Sequence, residues 1–189
     1  MTIMRSTLPL FAAALAAAAP ALPAETVNVP GFRAVQLNGG GEVSVRPGPV
    51  QRVTLVEGSS QITRFRVDGN GQLRISVCEG RCPQRYRLRV EIQTPRVPDL
   101  AISGGGTIRT AGGFADDHLA AAVNGGGVID ARAVNAANVT AAVNGGGQIL
   151  VRAQRHLQAA VNGGGAVRYL GNPAVSMAVR GGGTVQPGS

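Results

Sequence analysis

Ala101-Ile102-Ser103-Gly104-Gly105-Gly106-Thr107-Ile108 is a phrase to which the chain keeps returning. Ala-Val-Asn-Gly-Gly-Gly stands at 122–127, at 142–147 and at 160–165, and Ala-Val-Arg-Gly-Gly-Gly at 178–183. From Ser103 to Asn124, Asn144, Asn162 and Arg180 the steps are 21, 20, 18 and 18 residues. A period near 20 with a fixed internal grammar predicts stacked repeats, each of which buries its apolar face only against the next. The expected fold class is therefore all-β, a β-solenoid over residues 99–185 whose neighbouring coils pair in parallel about 4.8 Å apart.

Parity gives the facing of the side chains. Leu119, Ala121 and Val123 occupy alternate positions before their glycines. Val139, Ala141 and Val143, then Leu157, Ala159 and Val161, then Val175, Met177 and Val179 do the same in the later copies. These read as inward. Ile108, Ile129, Ile149, Val167 and Val185 each fall two residues after a third glycine and predict an aliphatic column. Each coil is then two strands and two turns. The triple glycine forms one turn, and Phe114–His118, Asn135–Asn138, Gln154–His156 or Gly171–Pro173 forms the other. Outward positions are small (Ala120, Ala122, Thr140, Ala142, Gln158, Ala160, Ser176, Ala178) and make a flat Ala-rich face on which a homo-oligomer could form.

The glycine triplets, at Gly104, Gly125, Gly145, Gly163 and Gly181, read as corners that need positive φ and leave no room for Cβ atoms. Asn124, Asn144 and Asn162 precede three of them, where an amide can bond to the same amide one repeat away. Anion-binding nests of successive amides are the functional alternative. A nucleotide loop is excluded, since no Lys-Ser/Thr ending follows and no Gly-x-Gly-x-x-Gly opens a helix.

Residues 25–98 read as a strand-rich N-terminal part, with ordinary antiparallel strand material from Thr26 to Ile92. Asn38-Gly39-Gly40-Gly41 is an early copy of the corner, Pro47-Gly48-Pro49 breaks a strand, and Asp68-Gly69-Asn70-Gly71 is a turn. Arg64–Val67, Leu73–Val77 and Tyr86–Ile92 alternate polar with apolar residues, as half-buried strands do. Pro95, Pro98 and Asp99 mark the joint to the repeats, and residues 186–189 form a tail. Residues 1–24 read as a signal peptide: Arg5 supplies the positive region, Leu8–Ala19 the apolar run, and Ala19-Pro20-Ala21 or Leu22-Pro23-Ala24 the cleavage end. The mature chain carries no further run long enough to span a membrane. Its expected location is beyond the inner membrane: periplasmic, on the outer surface, or secreted.

Every one of the 18 basic residues is Arg, against 10 acids, for a net charge of +8. A basic surface favours polyanions, although the absence of Lys is equally the mark of coding bias with Arg as a solubilising surface residue. Arg64, Arg66, Arg74, Arg85, Arg87 and Arg89 form the candidate basic patch if they share one face, and a solvated sheet face is the competing reading. Acidic polysaccharide or another envelope polyanion is the expected partner; nucleic acid is not. Cys78 and Cys82 are the only cysteines and read as a disulfide pinning a hairpin tip, since two thiols without a third ligand suit neither metal nor redox work.

Catalysis needs converging acids, bases or a metal set. Asp116-Asp117-His118 is the sole local cluster, and neighbours on an extended chain face opposite ways. A glycan lyase or hydrolase would pair Asp117 with Asp130 across adjacent coils, as glycoside chemistry demands two carboxylates at fixed separation. His118 and His156 read as solvated turn residues. No catalytic residue, metal site or cofactor is expected, and the chain is read as a non-enzyme.

The entry phrase Phe32–Val45, the passage Val90-Glu91-Ile92-Gln93-Thr94-Pro95 into Leu100-Ala101-Ile102-Ser103-Gly104, and the later glycine corners resemble the bacterial family called putative auto-transporter adhesin, head GIN domain. The resemblance covers Phe32 to Val185 and implies a right-handed parallel β-helix of the cell envelope with an adhesin-like role. Gly-Ser-Gly is the family's commoner corner, so the triple glycine is a variant. The expected function is a non-catalytic binding module, with a self-associating structural protein of the envelope as the alternative.

Overall fold

Period-two alternation of aliphatic with small or polar residues makes strands wherever it persists, and it persists through most of the chain. The computed structural model describes residues 24–78, 82–83 and 85–188, so the signal-peptide reading of residues 1–24 falls, apart from Ala24, outside the described residues. Among the described residues fifteen strands join in one nearly closed, barrel-like sheet, and there is no helix.

The N-terminal part contributes β1 (Glu25–Val27), β2 (Ala34–Asn38), β3 (Glu42–Pro47), β4 (Arg52–Glu57), β5 (Arg64–Val67), β6 (Gln72–Ser76) and β7 (Arg89–Thr94). After Pro98 come β8 (Asp99–Gly104), β9 (Thr107–Thr110), β10 (Ala115–Gly125), β11 (Val128–Gly145) and β12 (Gln148–Asn162). The chain closes with β13 (Ala166–Leu170), β14 (Ala174–Arg180) and β15 (Thr184–Pro187). β15 runs two residues past the tail boundary read from the sequence.

Pairing among the repeats is parallel and follows the glycine phrase. Gly125 lies beside Gly104 and Gly145, and Asn144 beside Asn124 and Asn162. Two long aliphatic columns result. Phe65, Ile75, Leu37, Ile102, Val123, Val143, Val161 and Val179 are successive register partners on one wall. On the other wall Val90, Val43, Ile108, Ile129, Ile149, Val167 and Val185 are. The second column is the one predicted from the sequence, extended at its start by Val43 and Val90. From Val90 to Val167 its members are fully buried, so each transfers its whole side chain out of water, about 1.5–3 kcal/mol apiece.

Two expectations are corrected. Residues 26–92 are not ordinary antiparallel material: β2 pairs in parallel with β6 and β8, and β3 with β7 and β9. Only β1 with β4, β4 with β7, and β5 with β6 are antiparallel. The early glycine copy at 39–41 is the cause, because it turns β2 into β3 in the place where Gly104–Gly106 later turn β8 into β9. The far ends of the coils are likewise not turns between strands in β11 and β12. These strands run on through them, with register irregularities near Ala131 and Ala136, and Ala131, Val134, Ala136, Val151 and Ala153 are buried there. Small and β-branched residues let the strand bend there, and its ladder to β12 loses register between Ala131 and Ala136. β11 thereby pairs β9 through its first residues and β10 through its last, and this is how the sheet passes from one wall to the other.

Candidate binding surfaces

The glycine corners are sterically uneven. The first of each triplet, Gly104, Gly125, Gly145, Gly163 and Gly181, has positive φ between 96° and 127°. A Cβ on Gly125 would stand 2.7 Å from the carbonyl oxygen of Gly104, and one on Gly127 would stand 2.6 Å from Ile102 Cγ2. The middle glycines, 105, 126, 146, 164 and 182, have open space and no positive φ. Two of three positions are thus required by the stack. The amides do not form a free nest: Gly126 N donates to Gly104 O and Gly146 N to Gly125 O, both at 3.0 Å. Beside the corners, Asn144 Nδ2 donates to Asn124 Oδ1 at 3.0 Å, the amide ladder expected from their spacing, with Asn162 next in register.

The six predicted patch arginines do not form one strand face. Arg64 and Arg66 lie on β5 and Arg74 on β6, with Arg66 directly across from Arg74. Arg85 and Arg87 belong to the loop before β7, because the alternation that read as a strand from Tyr86 does not pair until Arg89. Arg89 sits on β7, which joins β3 and β4 rather than β6. Acids also occupy this end: Arg74 Nε is 3.2 Å from Asp68, Arg89 3.9 Å from Glu42, and Arg46 is bonded to Glu91. Asp68 is held below the ordinary carboxylate range chiefly by the Gln72 amide, then by the Asn70 amide and Arg74.

Cys78 and Cys82 form the expected disulfide. It does not pin a hairpin tip, since the strands on either side, β6 and β7, do not pair with one another. The bridge stands in a crossover from one wall to the other. Sequence reasoning missed the latch beside it. Tyr86 Oη accepts from Ser59 N at 2.7 Å and lies 2.7 Å from Thr63 Oγ1, and Thr63 is buried.

Asp117 and Asp130 do not converge. Asp130 is on the stretch of β11 that pairs with β9 and β12, where Arg132 grips it at 2.7 and 2.9 Å and holds its carboxyl below the usual range. Asp117 is on β10, its side chain 85% exposed and 4.0 Å from Arg155. Asp116 faces Arg96 at 3.5 Å, in an open depression lined also by Phe114, Asn135 and Gln154. The two carboxylates thus do not form the pair that glycoside chemistry sets on either side of one bond. Among the described residues no group of three His, Cys, Asp or Glu is placed to hold a metal, and no helix is long and apolar enough to cross a membrane.

A different run of arginines stands out along the chain. Asp130 is the last acid in the chain, yet Arg132, Arg152, Arg155, Arg168 and Arg180 follow it. Arg152 lies one repeat beyond Arg132, donating from Nε to the Arg132 carbonyl oxygen at 3.1 Å, and Arg168 lies on the next strand of the same wall. Arg152, Arg168 and Arg180 have no acidic partner among the described residues. A running count of charge along the sequence would have found this, whereas the search for local Arg clusters did not.

Comparison with known proteins agrees with this architecture. No curated protein matches the chain. A solved structure from Bacteroides fragilis, described as a putative adhesin, shares 16% identity over 87% of this chain and 95% of its own, with a TM-score of 0.55. A putative adhesin from Parabacteroides merdae (15% identity, 88% and 96% covered, TM-score 0.41) and a putative lipid binding protein from Parabacteroides distasonis (15%, 88% and 96%, 0.36) also match. The family described as putative auto-transporter adhesin, head GIN domain, matches residues 31–123 and 112–173. Its matches span both the early glycine copy at 39–41 and the parallel repeats, and the chain belongs to that family.

Proposed function

We propose that this chain is an exported, non-catalytic binding module of the adhesin type, a right-handed parallel β-helix that presents arginines to anionic glycan or another envelope polyanion. The observation that carries the reading is the run of arginines beyond the last acid. Arg152 lies one repeat beyond Arg132, and of the two only Arg132 has an acid beside it. Arg152, Arg168 and Arg180 have no acidic partner among the described residues, and an extended polyanion laid across the strands supplies the countercharge. A rigid wall of this kind loses little conformational entropy on binding, which suits a polymer ligand of weak individual contacts.

The test is retention of the purified protein on immobilised uronate-rich polysaccharide at low salt. The double variant Arg152→Ala/Arg168→Ala is expected to elute at clearly lower salt, and Arg64→Ala/Arg66→Ala to elute close to the parent. Absence of retention even at low ionic strength removes the polyanion reading. Depolymerisation of such a glycan that disappears in Asp117→Asn would overturn the non-catalytic one.

A further inference from the structure

The two ends of the stack are finished differently. At the N-terminal end the edges are blunt: β1 is three residues long, and β5 carries Arg64 and Arg66 on an antiparallel edge. Short strands and charges are the usual protection of a sheet edge. At the other end β14 pairs with β12 alone. It is seven residues long, and its one charge, Arg180, sits at its last position.

β14 also carries the inward pattern with no described residue laid over it. Val175, Met177 and Val179 are the register partners of Leu157, Ala159 and Val161. The latter three are 1–2% exposed, whereas Val175 is 37%, Met177 64% and Val179 41% exposed. The exposed residues are those that every earlier repeat covers with the next one. A surface with matching apolar spacing and matching main-chain geometry is another strand of this same repeat.

We propose that β14 is the docking edge for a second copy of this chain, paired antiparallel about a two-fold axis through Met177. Val-Ser-Met-Ala-Val at 175–179 is symmetric about Met177 in its apolar positions, which is what a self-complementary interface requires. In that register Met177 meets Met177, Val175 meets Val179, and Ser176 meets Ala178. Arg180 falls opposite Ala174 rather than opposite another arginine. The two Arg180 residues then stand about 20 Å apart along the strands, beyond the ~8 Å screening length at physiological salt. This inference is independent of the polyanion reading, since it uses β14 and not Arg152 or Arg168.

One strand edge is smaller than the ~800 Å² per partner of a standard interface, so the dimer is weak and concentration-dependent. The excess of Arg beyond Asp130 makes it tighter as salt rises from about 0.02 to 0.3 M. Sedimentation velocity across that range, up to about 1 mM protein, reads both effects. Met177→Lys is expected to raise the dissociation constant at least ~10-fold, while Ala160→Lys, on the outward Ala-rich face, leaves it unchanged. Cross-linking reads the register. Met177→Cys sits on the axis, within the 4.4–6.8 Å Cα separation that a disulfide spans, and should form an intermolecular bridge in a glutathione buffer. Val175→Cys alone should do so at least ~10-fold more slowly, and an equal mixture of Val175→Cys and Val179→Cys should recover the rate. A protein that stays monomeric at 1 mM, a dimer insensitive to Met177→Lys, or a dimer abolished by Ala160→Lys overturns the proposal. So does a monomer that instead adds an acidic peptide strand to β14.

Discussion

Glycine content at the corners is a matter of atoms. At Gly125 an added methyl meets the neighbouring Gly104 carbonyl oxygen at 2.7 Å on a backbone with φ of 121°, and at Gly127 it meets Ile102 and the Gly106 oxygen. Gly126 meets nothing within 4 Å. Gly125→Ala is therefore expected to destabilise by about 1–3 kcal/mol and Gly127→Ala by a similar amount. Gly126→Ala is expected to be neutral or to stabilise by up to about 1 kcal/mol, because it restricts only the unfolded chain. Urea denaturation of the three variants checks the order, and equal losses at all three positions would contradict it. Asp130 offers a second test. Arg132 hydrogen bonding lowers its carboxyl in the fold, so the contribution is present above the ordinary value of 3.8 and is lost as pH falls through the lower folded value. The gap between the parent and Asp130→Asn should be at most about 1 kcal/mol at pH 7, as for other exposed pairs, and should close in acid; a gap that widens on acidification would reverse the sign.

At the scale of elements, the antiparallel strands of the N-terminal end are tied down by side chains rather than by register alone. The Tyr86 hydroxyl joins the loop after β4 to the loop before β7 through Ser59 and Thr63. Tyr86→Phe leaves the Ser59 amide without that acceptor and should cost about 1–2 kcal/mol, measured by thermal unfolding; a loss below a few tenths would show that water replaces the latch. Gln51 plays a comparable part, its amide receiving the Phe32 N–H at 3.1 Å and donating to the Phe32 carbonyl at 2.6 Å. Neither contact has a sequence signature, because both join residues far apart along the chain whose approach depends on the crossing of two walls.

For the whole molecule, stability should fall toward the uncovered end. β11 and β12 are flanked on both sides, and their inward residues are sealed, whereas β14 is exposed along its length. In a stack whose stability is the sum of neighbour interactions, the last repeat frays first. Hydrogen exchange at dilute, monomeric concentration should therefore show β14 and β15 amides exchanging at least ~10-fold faster than those of β11. Uniform protection along the chain would mean that the molecule opens only as a unit.

The sequence by itself determined the repeats, the alignment of Gly125 with Gly104 and Gly145, the second aliphatic column from Ile108 to Val185, the disulfide and the family. These follow from periodicity, since a strand's side-chain facing and a corner's glycine demand are local properties of the chain. Only the tertiary structure decided that β2 and β3 pair in parallel with strands on either side of the Pro95–Pro98 joint, that β11 bends instead of turning, and that the predicted arginine patch is divided. Those outcomes depend on which wall each strand joins, a choice made by the combined burial of residues distant in sequence. The uncovered Val175, Met177 and Val179 belong to the same class: their pattern is identical to that of buried repeats, and their exposure follows from β14 having, among the described residues, β12 as its single neighbour.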